Sequence, residues 1–371
     1  MKTAFLIAVT SARRVVEIQA LLRKEPYLKV LQDKVVLRLP EKFLPKVVSM
    51  YHASKEVVLP VFFPNPVTEE EKKWHNLNLH HGNFKILVFS VILLIHILTI
   101  YENSLVITLV TISQDLHSPM FFFLQQLSLS DLLQSMLIVP ILLKTVMNEG
   151  AKISFTGCIA QLYLLGVSEA LQCFLLTVMS YDRYLAICNP LRYCSIMNHR
   201  FCAKLIVLSW LLSICFIPVS VVSAAIQEFC NKNTINHFFC DYFPLLELSC
   251  SDTFLTQILA MTVSIPAIMF PFLLIIGSYS CIAHEILKIV SNIGRQKAFS
   301  TCSSHLTVVS IFYGTLIGIY VVPTKNESQT TKKVISLLYT VVTPFINPII
   351  YSLKSADMKN ALKNITKVIN K

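Results

Sequence analysis

Charge is scarce in this chain: 14% of its 371 residues are Asp, Glu, Lys or Arg, against about a quarter in an average soluble domain. Glycine is scarce too, at eight residues, which excludes a fibrous or Gly-rich disordered chain. The eleven cysteines contain no Cys-x-x-Cys pair and are too scattered for a zinc ribbon, so no structural metal is expected. No internal repeat is visible, which argues against a transporter built from two related halves. No metal-ligand or nucleophile–base constellation appears in the apolar stretches, so the chain does not read as an enzyme and no cofactor is expected. The formal charge of +11 would suit nucleic acid only on an exposed polar surface. Here the basic residues cluster between apolar runs, as in membrane proteins, and no nucleic-acid partner is expected.

Apolar residues make up 54% of the chain and gather into seven runs of membrane-spanning length: Phe84–Val110, Pro119–Met147, Ser154–Ile187, Phe201–Val222, Phe254–Leu287, Ala298–Val322 and Val334–Leu353. The expected fold is therefore an all-α membrane protein, a seven-transmembrane helix bundle. The third run is the most informative. A helical rise of about 1.5 Å per residue puts Cys158 and Arg183 roughly 37 Å apart, enough to cross a hydrocarbon core of about 30 Å. It ends on Asp182-Arg183, and ionisable residues at the end of a nearly charge-free spanning helix point to function.

Lysines and arginines gather in alternate loops and in the tail (Arg192, Arg200, Lys204, Lys288, Arg295, Lys297, Lys354 and those following), whereas the opposite loops carry acids. The positive-inside rule makes the tail cytoplasmic and, with seven spans, the N-terminus external in a multi-pass membrane protein. Residues 356–369 place Met358, Leu362, Ile365 and Ile369 on one face and lysines on the other, a short amphipathic helix lying on the inner membrane surface. The chain thus divides into an atypical extension over 1–83, a seven-helix bundle over 84–353 and a cytoplasmic tail over 354–371.

The extension is basic and has no spanning run. Met1–Ala12 has the outline of a signal peptide, but its apolar core is short and Arg13-Arg14 follow at once. Val15–Val58 reads as short helices or strands punctuated by Pro26, Pro40 and Pro45. A small appended segment and a spurious extension of the reading frame both remain open.

Cys158, Cys230, Cys240 and Cys250 fall on the outer side, an even set that suggests two disulfides with three pairings open. The other seven lie in the bilayer or on the inner side as free thiols. His237-Phe238-Phe239-Cys240 has a metal-like spacing, but a cysteine in a disulfide cannot ligate.

At this point the residues resemble a known family. Met179–Tyr193, with its Asp182-Arg183-Tyr184, is similar to the signature of olfactory (odorant) receptors, a branch of the rhodopsin-like G-protein-coupled receptors. Leu116–Leu124, Ser278-Tyr279, Lys297–Leu306 (which contains His305) and Pro344–Tyr351 agree, in order and at family spacing, from about Asn76 to the C-terminus. The resemblance implies disulfides Cys158–Cys240 and Cys230–Cys250. It also implies a cytoplasmic switch in which Asp182 restrains Arg183 until helix six moves, with Tyr184, His305, Asn347 and Pro348 in the coupling machinery. Tyr279 and Tyr351 are implied to turn inward in support of the released state; the plainer reading of each is an interfacial tyrosine. Asn103, Asp131 and Asn347 form a mid-membrane polar trio by the same resemblance, either a hinge or interhelical glue, because nothing in hydrocarbon will hydrogen-bond them.

The chain departs from the family in places. Glu102 stands where glycine is usual before Asn103. Gln172 replaces the usual glutamate near Asp131, and an acid sits three residues earlier at Glu169, about one turn, or 4.5 Å, further out. The customary sequon before the first helix is missing; Asn326-Glu327-Ser328 is the outer one, and Asn364-Ile365-Thr366 is cytoplasmic.

Leu162, Leu165, Gly166, Glu169 and Ala170 repeat at helical spacing below Cys158. The resemblance places them in the odorant pocket, opposite Val263, Ala267, Tyr313, Leu316, Ile317, Tyr320 and Thr340. A mostly apolar lining with a few polar groups suits a small hydrophobic ligand. Ionised, Glu169 would favour an amine; protonated, it would serve as a hydrogen-bond donor. By the same resemblance the expected function is ligand-gated activation of a stimulatory G protein with cAMP as output, at the plasma membrane and in contact with membrane lipid. The alternatives are a receptor-like chain that no longer signals and a non-olfactory chemosensory receptor of the same family.

Overall fold

The computed structural model describes residues 28–31, 34–37, 56–59, 81–148, 150–230, 233–289, 291–320, 333 and 335–369. The signal-like segment at Met1–Ala12 and the sequon at Asn326 lie outside them. Four short strands, β1 (Leu28–Leu31), β2 (Lys34–Leu37), β3 (Glu56–Leu59) and β4 (Ala151–Ser154), form two antiparallel pairs, β1–β2 and β3–β4. The rest is helical: α1 (His81–Ile112), α2 (Pro119–Met147), α3 (Phe155–Cys188), α4 (Pro190–Ile196), α5 (His199–Ala225), α6 (Tyr242–Leu246), α7 (Phe254–Lys288), α8 (Asn292–Tyr320), α9 (Thr343–Lys354) and α10 (Ala356–Ile369).

Six described helices are long and apolar enough to cross a membrane. They are the spans of α1, α2, α3, α5 and α7, and the stretch Ile335–Ser352 that runs into α9. The remaining run lies in α8, whose apolar part is Cys302–Ile317. Together they make a seven-transmembrane bundle. Local chemistry sets several starts. Pro119 opens α2 where a missing N–H costs nothing. Ser154 caps α3 by accepting the Gly157 amide at 3.1 Å, and Asn198 caps α5 by accepting that of Phe201 at 3.0 Å.

The third span is the axis of the packing. Its inner two-thirds carries Leu171, Leu175, Leu176 and Met179, each at most 1% exposed, into a core shared with Val106 and Leu109 of α1, Leu124 of α2 and Phe312 of α8. By contrast α5 and α7 show rows of exposed Leu, Ile, Val and Phe. In water such surface would be a liability; toward lipid it is the expected face. On α10, Met358 and Ala361 are buried in the same cluster as Leu116 of the first inner turn. The tail helix therefore docks on the protein along that edge and leaves Leu362 exposed.

Two prolines shape the seventh span. Ahead of α9, Leu338–Val342 takes a π turn, a form common where the α ladder is interrupted. Pro344 has no N–H, so in that register the Tyr339 carbonyl lacks a donor; Gln134 of α2 supplies one at 3.0 Å. Four residues on, Pro348 likewise leaves the Pro344 carbonyl open, and Asn103 of α1 donates to it at 3.0 Å. Amides from two neighbouring helices thus repair a backbone that prolines have opened, as an anhydrous setting demands.

Candidate ligand site and switch

At the outer end, the Cys158–Cys240 disulfide joins the start of α3 to the loop before α6, and Cys230–Cys250 closes a smaller ring within that loop. Gln161, one turn below Cys158, accepts the Cys240 amide at 3.0 Å while donating to the Leu137 carbonyl of α2 at 2.9 Å. This seats Phe238 and Phe239 against Leu165 and Tyr339. His237 packs edge-on to Phe239 at 4.5 Å. Burial lowers its pKa from the ordinary imidazole range, against the opposing pull of Asp241. Lys333 donates to Asn236 at 2.6 Å and lies over the Phe238 ring. Across the mouth, β3 of the extension pairs with β4, Glu56 opposite Ser154 and Leu59 opposite Ala151.

Beneath this cover sits Glu169. Its Oε1 has neither water contact nor a hydrogen-bond partner. The Tyr339 hydroxyl and the Asp241 carboxylate are both near enough to act on the carboxyl group, Asp241 by repulsion. One turn further in, Cys173 lies beside the Tyr313 hydroxyl; the Tyr313 ring packs on Phe272 at 4.6 Å. Glu169 thus stands where the third, sixth and seventh spans and the outer loop converge.

The other pocket candidates do not all face that point. Gly166 lies against α5: a Cβ there would stand 2.9 Å from Ile217 Cγ2, so its missing side chain serves helix packing. Leu162 belongs to a cluster with Val221 and Ala224 of α5, and Leu316 to the inner core. Thr340 spends its hydroxyl on the Ser336 carbonyl at 2.7 Å. Ala170 and Ala267 are buried, Val263 is half-buried and Ile317 is 40% exposed. Tyr320 closes α8, with its side chain outside the described residues.

In the middle of the membrane, Asp131 accepts from Asn347 at 3.0 Å and from Gln172 at 3.1 Å. Gln172 also donates to Gln134 at 2.9 Å. Of the polar core residues Asn103, Asp131 and Gln172 and their companion Asn347, the Asn103 amide donates instead to the Thr99 and Pro344 carbonyls, and Gln134 joins Gln172 in the network. Gln134 went unnoticed in the sequence. Its signal was an amide one turn beyond Asp131 in a charge-poor helix.

At the inner end, Arg183 is ion-paired with Asp182, its Nε donating at 2.8 Å, and Tyr193 of α4 donates to the other Asp182 oxygen at 2.8 Å. Burial, and then Asp182, push the Tyr193 phenol above its usual range, so it remains a donor. Tyr279 of α7 bonds His305 of α8 at 2.7 Å with the rings stacked. Tyr184, Cys302 and Ile282 pack beside them, and Tyr351 of α9 is buried against the inner core. A cleft of about 440 Å³ opens alongside, between Tyr184 and Cys188 of α3 and Ser280, Cys281 and His284 of α7.

A family model described as Olfactory receptor matches residues 89–369. Human olfactory receptor 11L1 is 46% identical over 281 residues, 75% of this chain and 87% of that protein. Rat olfactory receptor 1496 is 45% identical over 276 residues, 74% and 89% respectively. Human olfactory receptor 10A3 is 45% identical over 275 residues, 74% and 88%.

Proposed function

We propose, from the premise that the chain belongs to the olfactory receptor family, that it binds a small, mostly apolar odorant beneath the outer loop and thereby activates a stimulatory G protein at the Asp182–Arg183 end. The observation that carries this reading is one helix, α3, holding both ends of the device. Glu169 sits at the convergence of spans under the disulfide-tied loop, and Arg183 is neutralised by Asp182, which Tyr193 holds in turn. A cation kept paired at rest and freed by a shift of neighbouring helices is a two-state element that a ligand can bias. The ligand's part is differential binding: it must fit the arrangement with Arg183 free better than the one with Arg183 paired.

Tyr279–His305 couples α7 to α8 beside that pair, so movement of the sixth span must break or carry it. The mid-membrane network joining Asp131, Gln172 and Asn347 lies between the two ends and is the proposed route between them. Lipid surrounds the bundle, with α10 lying at the inner membrane surface.

The test is cAMP production in cells expressing the chain with and without residues 1–75, challenged with an odorant panel. Agonist-dependent cAMP that disappears in Arg183→Ala supports the reading, and Tyr193→Phe should raise the basal level. Signal from the truncated form alone would make the extension an obstacle. No signal from either form, despite surface expression, would favour a chain that no longer couples.

A further inference from the structure

Ionisable groups inside a bundle come in two kinds here. Asp131 has donors on both oxygens, and so does Asp182; their bonding is complete. Glu169 is different. One oxygen is out of water with no hydrogen-bond partner, and the charge acting on it from outside is another acid, Asp241. Lys333, just ahead of the seventh span, is engaged with Asn236 and Phe238, and buried His237 is held toward its neutral form. A carboxylate oxygen shut off from water, with a second acid and no cation among the charges acting on it, is open to a positive charge from a ligand. A metal ion fits poorly, since among the described residues no three His, Cys, Asp or Glu side chains converge. The residues nearby are aromatic: Tyr339 acts on Glu169, and Tyr313 on Phe272 lies one turn inward. A carboxylate beside ring faces is a favourable seat for an ammonium group.

We infer that the ligand class is a small apolar amine in its protonated form, its ammonium held by Glu169, with Asp241 on its outer side and its carbon body directed toward Tyr313 and Phe272. This rests on the small-ligand reading above. It also explains why an acid stands one turn outward of Gln172: at Gln172 it would compete for the donors of Asp131, whereas at Glu169 it is free to meet a ligand.

The experiment uses the full chain in lipid nanodiscs. Thermal stabilisation is measured with hexylamine and cyclohexylamine, with hexanol and cyclohexanol as neutral partners, and with ammonium chloride as a bare cation. The same compounds are scored for cAMP in cells. The amines should stabilise the wild type, and Glu169→Gln, which keeps shape and hydrogen bonding but loses the charge, should weaken amine binding about 30-fold or more, as for a buried charge pair losing one partner. The alcohols should act equally on both. Asp241→Asn retains the acceptor that bonds the Tyr242 amide and should weaken amines by a smaller factor; it serves as the second variant if the first does not fold. Equal losses for amines and alcohols, no stabilisation by either amine, or equal stabilisation by ammonium chloride each overturn the inference. Alcohols that signal while amines neither bind nor signal would sink it and leave the receptor reading standing. Amine binding that needs Glu169 but yields no cAMP would do the reverse.

Discussion

The repair of the seventh span by side-chain amides makes a prediction that can be worked through. In Asn103→Ala the Pro344 carbonyl loses its donor at 3.0 Å, because Pro348, four residues on, has no N–H to give. A buried acceptor left unmet costs about 1–3 kcal/mol in water-soluble proteins. Interhelical hydrogen bonds in membranes average about 0.6 kcal/mol and reach about 2. A loss of about 1–2 kcal/mol is therefore expected, small packing effects included. Pro348→Ala restores an amide at the i−4 spacing, so the same Asn103→Ala change made in that background should lose about 1 kcal/mol less. The readout is a double-mutant cycle on heat survival of the purified receptor in nanodiscs, scored by the fraction remaining monodisperse. Coupling is then the departure from additivity. Strictly additive losses would refute the idea that Asn103 serves the proline-opened carbonyl and return it to general interhelical glue.

Gly166→Ala should destabilise the bundle because its Cβ would meet Ile217 Cγ2 at 2.9 Å; Ile217 is β-branched and precedes Pro218, so neither χ1 nor backbone yields easily. With Ile217→Ala the change should instead become neutral or gain up to about 1 kcal/mol from helix propensity, read by the same heat-survival assay. Losing Cys158–Cys240, whose cysteines stand 82 positions apart, should cost about 4–5 kcal/mol, and losing Cys230–Cys250, 20 apart, about 3, so the first pair of Cys→Ser changes should depress surface expression more. His237 gives the pH dependence. Its folded pKa is lowered by burial, so the unfolded chain binds the proton more readily; stability is full above about pH 6.5 and declines on acidification below it. His237→Gln should flatten that decline in melts taken across the range, and an unchanged slope would count against it.

Much of the architecture was legible because hydrocarbon enforces simple rules. Seven apolar runs, a basic inner side and an acidic outer side follow from solvation alone, and Asp182-Arg183 stood out against a charge-free background. What escaped was side-chain partnering across helices. Nothing in the sequence says that Asn103 will bond the backbone beside Pro344, or that Gln134 will reach Tyr339. Both depend on which carbonyls two prolines leave open once the π turn has formed. The contact of Gly166 with Ile217 was hidden for a related reason: helical spacing puts Gly166 on the face of Leu162 and Glu169, and that face also meets α5 on one flank. The pairing of β3 with β4 joins segments about a hundred residues apart, beyond any local pattern.

The partner counts also separate structural from functional acids within one bilayer. A carboxylate whose oxygens are both met by donors on other helices, like Asp131, has its geometry fixed by the fold; exchanging it disturbs packing whatever the ligand. A carboxylate with an unmet oxygen is kept at a standing cost, and the cost is tolerable where something else arrives to complete it. Among the described residues two acids qualify, Glu102 and Glu169, each with one buried oxygen lacking a partner. Their surroundings differ. No other titratable group acts on Glu102, which lies on the outermost, least buried span. Glu169 is met by Tyr339 and Asp241 at the convergence of spans from both halves of the bundle. Incompleteness alone marks a candidate; incompleteness inside a converging set of polar and aromatic groups is what the amine proposal rests on, and among the described residues Glu169 meets both conditions.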